Sequence, residues 1–292
     1  MTGPESAGPP GDNRRGIRWM VAAMACFIVN DALVKFVSQA LPAGQLIFLR
    51  GLMATALVLA VVRVTGVPLQ PRRLASGWVA MRAGLDALAT FAYLVSLFHL
   101  PIANATAINM GTPLFITLIA VLWLRHRVGP RQWLAIAVGF AGVLLVIQPR
   151  ADGFNAFAWL CVGATVLNAL RDLVTLRIPR EMPSIGVTLA TAVAVTLLAG
   201  AVSLLQGWAE LTGHQLALLA ASAVFLASGY QLIIRATRSG DLSVVAPFRY
   251  SGLLMAVLLG WVVWGDVPNA LAWAGIALVL GAGLYLLRNE SR

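Results

Sequence analysis

The sequence predicts an all-α membrane protein: ten transmembrane helices in two inverted five-helix repeats around a central cavity. Three observations predict it. The chain is 60% hydrophobic and 11% charged, where a soluble domain is about 45–50% apolar and about 25% charged. It divides into ten apolar runs near the ~20 residues that a helix needs to cross a bilayer. A shift of about 140 residues lays landmarks of its first half on its second.

Residues 1–16 (MTGPESAGPPGDNRRG) are polar and rich in Pro and Gly. They read as a disordered cytoplasmic tail. The first apolar run, Ile17 to Ser38, is longer than a signal-peptide core and lacks a small-residue cleavage site, so it reads as a retained helix. Charged residues, Pro and Gly then cut the chain into spans 17–38, 43–64, 76–98, 104–124, 131–148, 155–176, 184–206, 214–235, 242–264 and 269–287. No 9–11-residue alternating pattern occurs, which excludes a β-barrel. Tryptophans 19, 78, 123, 133, 159, 208, 264 and 273 fall near span ends, as an interfacial belt requires.

The basic residues set the orientation. Of the 21, all but Lys35 are arginine, and most lie in short loops. That distribution argues for topology and against nucleic-acid binding, despite a pI near 11.1. One side receives Arg14, Arg15, Arg18, Arg63, Arg72, Arg73, Arg125, Arg127, Arg131, Arg177, Arg180, Arg235, Arg238, Arg288 and Arg292. The other receives Arg150 with Asp152, Glu210 and Asp266. Both termini are therefore expected in the cytoplasm, in a bacterial inner membrane.

The repeat is carried by spacing. Asp31-x10-Pro42 matches Asp172-x10-Pro183, Trp19 matches Trp159, and Trp133 matches Trp273. Arg127-Val-Gly-Pro130 matches Val267-Pro268 with small slippage. The repeats are 17–148 and 155–288. Five helices is an odd number, so the second half enters the membrane from the opposite side. Inverted repeats of this kind mark secondary transporters, whose midplane cavity opens alternately to each side.

With this repeat, the sequence resembles the drug/metabolite transporter superfamily, in its EamA-type branch, over residues 17–288. Asp31-Ala-Leu-Val-Lys35, Phe48-Leu-Arg50-Gly-Leu, and Ala107 to Phe115 with Pro113 carry the resemblance in the first half. Tyr250 to Trp264 with Gly265-Asp266, Trp273 and Gly281-Ala-Gly283 carry it in the second. His126 departs from the acidic residue often found at that turn, where the second half keeps Asp266. The resemblance implies a secondary transporter for small metabolites, with YddG-type amino-acid exporters among its members.

Charges inside the apolar runs are the candidate machinery, because each costs about 2.5–3.5 kcal/mol at a helix centre unless it pairs, meets water or does work. They are Asp31, Lys35, Arg50, Arg82, Asp86, Arg171, Asp172 and Arg249. Asp31 and Lys35 are one turn apart near the outer end of the first span, and Arg50 is about two turns into the second from the same side. These three form the expected outer gate. Arg171, Asp172 and Arg249 lie toward the inner side and form the expected inner gate. The static alternative is that Asp31–Lys35 and Arg82–Asp86 neutralise each other within their helices while Arg82 and Arg249 snorkel to the interface.

Near the midplane, Tyr93, Asn109, Asn168, Tyr230 and Gln231 are the expected cavity lining, with packing hydrogen bonds between helices as the alternative. Gly139-x-x-Gly142 and the glycines at 275, 281 and 283 read as close helix packing.

The function expected from this reading is export of small metabolites, amino acids first, by alternating access. The intramembrane charges comprise five bases and three acids, and a cavity of both signs suits a zwitterion. The alternative is a multidrug or lipid/sugar-derivative transporter of the same fold. No Walker-type GxxxxGK[ST], HExxH or GxSxG occurs, so neither ATP hydrolysis nor an intramembrane enzyme is expected. Cys26 and Cys161 lie in apolar runs and read as packing residues. No cofactor, metal or nucleic acid is expected. The partners are a small-molecule substrate and the lipid bilayer, for a monomer or weak dimer.

Overall fold

The computed structural model describes residues 13–67, 77–122, 129–148, 155–179, 182–239 and 242–290. These residues form helices, without a strand among them. The helices are α1 (Asn13–Val37), α2 (Ala43–Thr65), α3 (Gly77–His99), α4 (Ile102–Asn109), α5 (Thr112–Leu122), α6 (Pro130–Ile147) and α7 (Ala156–Thr175). The chain continues through α8 (Ser184–Gln206), α9 (Gly213–Ser239), α10 (Leu242–Val245), a 3₁₀ turn (Ala246–Tyr250), α11 (Ser251–Trp264) and α12 (Ala270–Glu290). Nine helical segments among the described residues are long and apolar enough to cross a membrane; α12 contributes a shorter apolar stretch, Ala270–Leu286. The chain is thus a multi-pass membrane protein.

Local chemistry sets the helix ends. Asn155 caps α7 by accepting from the Ala158 amide at 3.1 Å, and Asn269 caps α12 through the Ala272 amide at 2.9 Å. Thr212 and Gln215 form a reciprocal capping box before α9. Gly66 ends α2 in the left-handed region at φ 65°, where a glycine carries no Cβ penalty.

The boundaries depart from the sequence reading in three places. Helix α1 begins at Asn13, inside the segment expected to be a disordered tail; residues 1–12 lie outside the described residues, as does Trp123. The fourth span is broken between α4 and α5 at Met110–Gly111. The ninth begins as α10 and a 3₁₀ turn and becomes α-helical at Ser251. These two breaks are related by the same shift of 140 residues.

Packing reproduces the repeat. Helix α1 pairs with α9 and α3 with α7, two contacts that the exchange of halves interconverts. The pairs α2–α8, α6–α12 and α4–α11 each map onto themselves. In the α6–α12 pair a Cβ on Gly142 would lie 2.8 Å from the Gly275 carbonyl oxygen, so the absence of side chains lets the two backbones touch. The main core runs through α1, α2, α3, α4 and α7 into α11 and α12, and includes Ile28, Leu46, Leu97, Ile108, Cys161, Leu253 and Val279.

Candidate functional site

The face where α1 begins is called the first face and the one where it ends the second. The two broken spans meet inside the bundle. A Cβ on Gly252, at the start of α11, would contact Met110 Cε at 3.2 Å and Met24 of α1 at 3.5 Å. Interrupted helices at corresponding positions of two inverted repeats are where transporters place their substrates, because irregular backbone at membrane depth must line a cavity or be covered by protein.

Three polar groups descend from the second face to the first. At the second face, Lys35 is buried to 7% accessibility. Its Nζ donates to the Leu97 carbonyl oxygen at 3.1 Å and to that of Leu100. The Leu97 carbonyl is freed because Pro101 has no N–H to give it, and that of Leu100 because α3 has ended and the Asn104 amide turns to Pro101. The ammonium also lies 5.5 Å from the centre of the Trp264 ring and within electrostatic reach of Asp266. Gln45 of α2 exchanges two hydrogen bonds with the Ala209 backbone at 2.9 and 2.8 Å.

The middle group is Asn30, Asp31, Arg50 and Tyr93. Asp31 accepts from Asn30 Nδ2 at 2.8 Å and from the Tyr93 hydroxyl at 2.9 Å. Arg50 donates from Nη2 to Asn30 Oδ1 at 3.2 Å. A second polar pair bridges the repeats, where Asn168 of α7 donates to Asn109 of α4 at 3.0 Å. Tyr230 of α9 stacks edge-to-face on Phe27 with ring centres 5.2 Å apart. It lies within electrostatic reach of Arg50 on α2, Asp86 and Arg82 on α3, and Arg171 on α7. Yet its side chain is 54% accessible.

The group nearest the first face is an ion-pair network. Arg171 Nη1 holds Asp86 at 2.7 Å and its Nη2 holds Asp172 at 2.8 Å. Arg82 approaches Asp86 at 3.8 Å and donates to Thr175 and Thr191 at 3.0 and 2.7 Å. This network ties α3 to α7 and α8.

The sequence-predicted groups are therefore redistributed. Of the expected outer gate, Asp31 and Arg50 share one cluster, while Lys35 turns away to the end of α3. The lysine stem is long enough to carry its amine beyond the turn that it shares with Asp31. Of the expected inner gate, Arg171 and Asp172 bind each other, but Arg249 makes no ion pair among the described residues. It sits exposed in the 3₁₀ turn, and Asp86 takes the place foreseen for it. Tyr93, Asn109, Asn168 and Tyr230 gather around the interior; Gln231 is exposed and without a described hydrogen bond. Asn30 was missed, although it adjoins Asp31. Asp86 was read only as an intrahelical partner of Arg82, although the 1–8 pairing of spans, carried through the repeat, puts span 3 against span 6.

Comparison with known proteins bears on the whole chain. A model of the EamA-like transporter family matches residues 14–148 and, a second time, residues 156–288. The chain belongs to this family. It thus falls in the drug/metabolite transporter superfamily. A riboflavin transporter of Rhizobium johnstonii is 32% identical over 280 residues, covering 95% of this EamA-family chain and 92% of the relative. A pseudopaline exporter of Pseudomonas aeruginosa is 29% identical, covering 95% of this chain and 97% of that protein. An S-adenosylmethionine uptake transporter of Rickettsia bellii is 23% identical over 95% of this chain and 94% of the relative. One solved crystal structure superposes on 93% of this chain and 98% of its own at a TM-score of 0.59, with 19% identity, a likeness of fold.

Proposed function

We propose that the protein is a secondary transporter that carries a small polar metabolite across the bacterial cytoplasmic membrane by alternating access, with riboflavin as the first substrate to test. The observation that carries this reading is the polar interior: Asp31, Arg50 and Tyr93 share a hydrogen-bonded cluster with Asn30, and Asn168 bridges the repeats to Asn109, next to the break in the fourth span. The riboflavin transporters of Rhizobium johnstonii and Vibrio cholerae, at 32% and 29% identity along nearly the whole chain, support the substrate. Tyrosine rings beside amide and guanidinium donors suit a planar heteroaromatic molecule.

The arginine-rich first face is read as cytoplasmic, with both chain termini there. Lys35 and Gln45 are buried and are read as closing the second face, while Asp172 and Tyr230 are accessible. The conformation is thus read as open toward the cytoplasm. In alternating access the Asp86–Arg171–Asp172 network and the Lys35 contacts would serve as the two gates, each strengthened as the other breaks.

A second reading, amino-acid export, is favoured by one specific observation: opposite charges, Asp31 and Arg50, stand in the same cluster, and a zwitterion presents both signs. Purified protein in liposomes separates the two. Saturable uptake of radiolabelled riboflavin, unaffected by excess amino acids, is the expected result. Uptake of amino acids in place of riboflavin selects the second reading, and uptake of neither refutes both.

A further inference from the structure

Arg50 differs from Arg82 and Arg171 in its pairing. Arg82 and Arg171 each face a carboxylate within 4 Å. Arg50 is buried to 8% accessibility, spends Nη2 on the neutral amide of Asn30, and has no partner for Nε among the described residues. Buried donors are nearly always satisfied, and a guanidinium offers five of them in a rigid fork suited to planar acceptors.

The nearest acid does not fill the gap. Both oxygens of Asp31 accept from other groups, Asn30 and Tyr93, and Asp31 acts on Arg50 through charge without an ion pair. The Thr106 hydroxyl, beside Tyr93, is likewise left without a partner of proper geometry. The accessible ring of Tyr230 is also within electrostatic reach of Arg50.

We propose that Arg50 is the substrate-contacting residue, receiving on its free Nε the planar acceptor group of a ligand with no net charge, between the rings of Tyr93 and Tyr230. Asp31 sets the charge condition. It already cancels the guanidinium, so an anionic ligand would bring an uncompensated charge into the bundle. The imide edge of a flavin and the carboxylate of a zwitterionic amino acid share this chemistry. The inference rests on the transporter reading above and names the contact within that site.

The test is initial-rate uptake of riboflavin, and of whichever amino acid the wild type moves, in liposomes holding wild type, Arg50→Gln, Arg50→Lys or the double variant Asp31→Asn/Arg50→Gln. Arg50→Gln raises KM about tenfold or more, the loss of one charge-assisted hydrogen bond. The double variant does not restore it. Arg50→Lys keeps the charge but lacks Nε, and its KM also rises; it carries the test if the glutamine variant does not fold, as judged by gel filtration. Flavin mononucleotide, the phosphorylated dianion, competes at least about tenfold more weakly than riboflavin.

An unchanged KM in the folded Arg50 variants overturns the proposal. So does a double variant that recovers wild-type KM, because Arg50 would then only balance Asp31. Equal competition by the dianion also overturns it. A wild type that moves neither ligand class refutes the transporter reading and this site with it; a wild type that moves one while KM ignores Arg50 refutes the site alone.

Discussion

Asp31 and Asp172 occupy matching positions in the two repeats, yet their surroundings differ. Asp31 is held by neutral donors, Asn30 and Tyr93, and its nearest cation keeps a free Nε. Asp172 lies in a network where Arg171 is shared between two carboxylates and Arg82 is held by two threonines and Asp86. The first cluster has unused hydrogen-bonding capacity, as a binding site needs. The second pairs its charges and ties helices together, which suits the gate proposed above. Matching positions in the two repeats thus carry different polar networks, and the difference lies in what the neighbouring helices supply.

The comparison can be broken by substitution. Asp86→Asn should have the largest effect on stability, because it leaves Arg171 and Arg82 short of a carboxylate at a site only 12% exposed. The expected loss is about 3 kcal/mol, the low end of the cost of breaking a buried pair. A thermal unfolding curve in detergent checks it; an unchanged midpoint would mean that the network holds nothing together. Lys35→Met removes a cation from two carbonyl oxygens and should cost about 2 kcal/mol. It should also raise labelling of a second-face cysteine by an impermeant thiol reagent, and labelling equal to that of the parent would show that Lys35 seals nothing.

Smaller effects sharpen the contrast. Tyr93→Phe deletes one hydrogen bond to Asp31 and should lower stability by about 1 kcal/mol while changing uptake kinetics more than Asp86→Asn changes KM. Asp172→Asn should cost under about 1 kcal/mol, because that carboxylate is 43% exposed and Arg171 keeps Asp86. A larger loss than for Asp86→Asn would reverse the assignment of the central acid.

The fold was legible because hydropathy, arginine bias and the Asp-x10-Pro spacing are all written along the chain, each with its own physical cause. Counting depth along helices also put Arg50 near Asp31. The same counting failed for Arg249, because Ala246–Tyr250 is a 3₁₀ turn and not the regular helix on which a 1.5 Å rise depends. It failed for Lys35 because the free carbonyls at Leu97 and Leu100, where α3 ends at Pro101, belong to another helix. The interruption at Met110–Gly111 was marked only by Gly111 and Pro113, which a hydropathy count passes over inside an apolar run.

The most direct test of the division between site and gate is a paired measurement: riboflavin binding, by quenching of its fluorescence, and thermal unfolding, for Arg50→Gln and Asp86→Asn side by side. The account predicts that Arg50→Gln binds about tenfold or more weakly with little change in unfolding midpoint, while Asp86→Asn unfolds earlier and binds nearly as the wild type does. Weakened binding in Asp86→Asn together with intact binding in Arg50→Gln would contradict it.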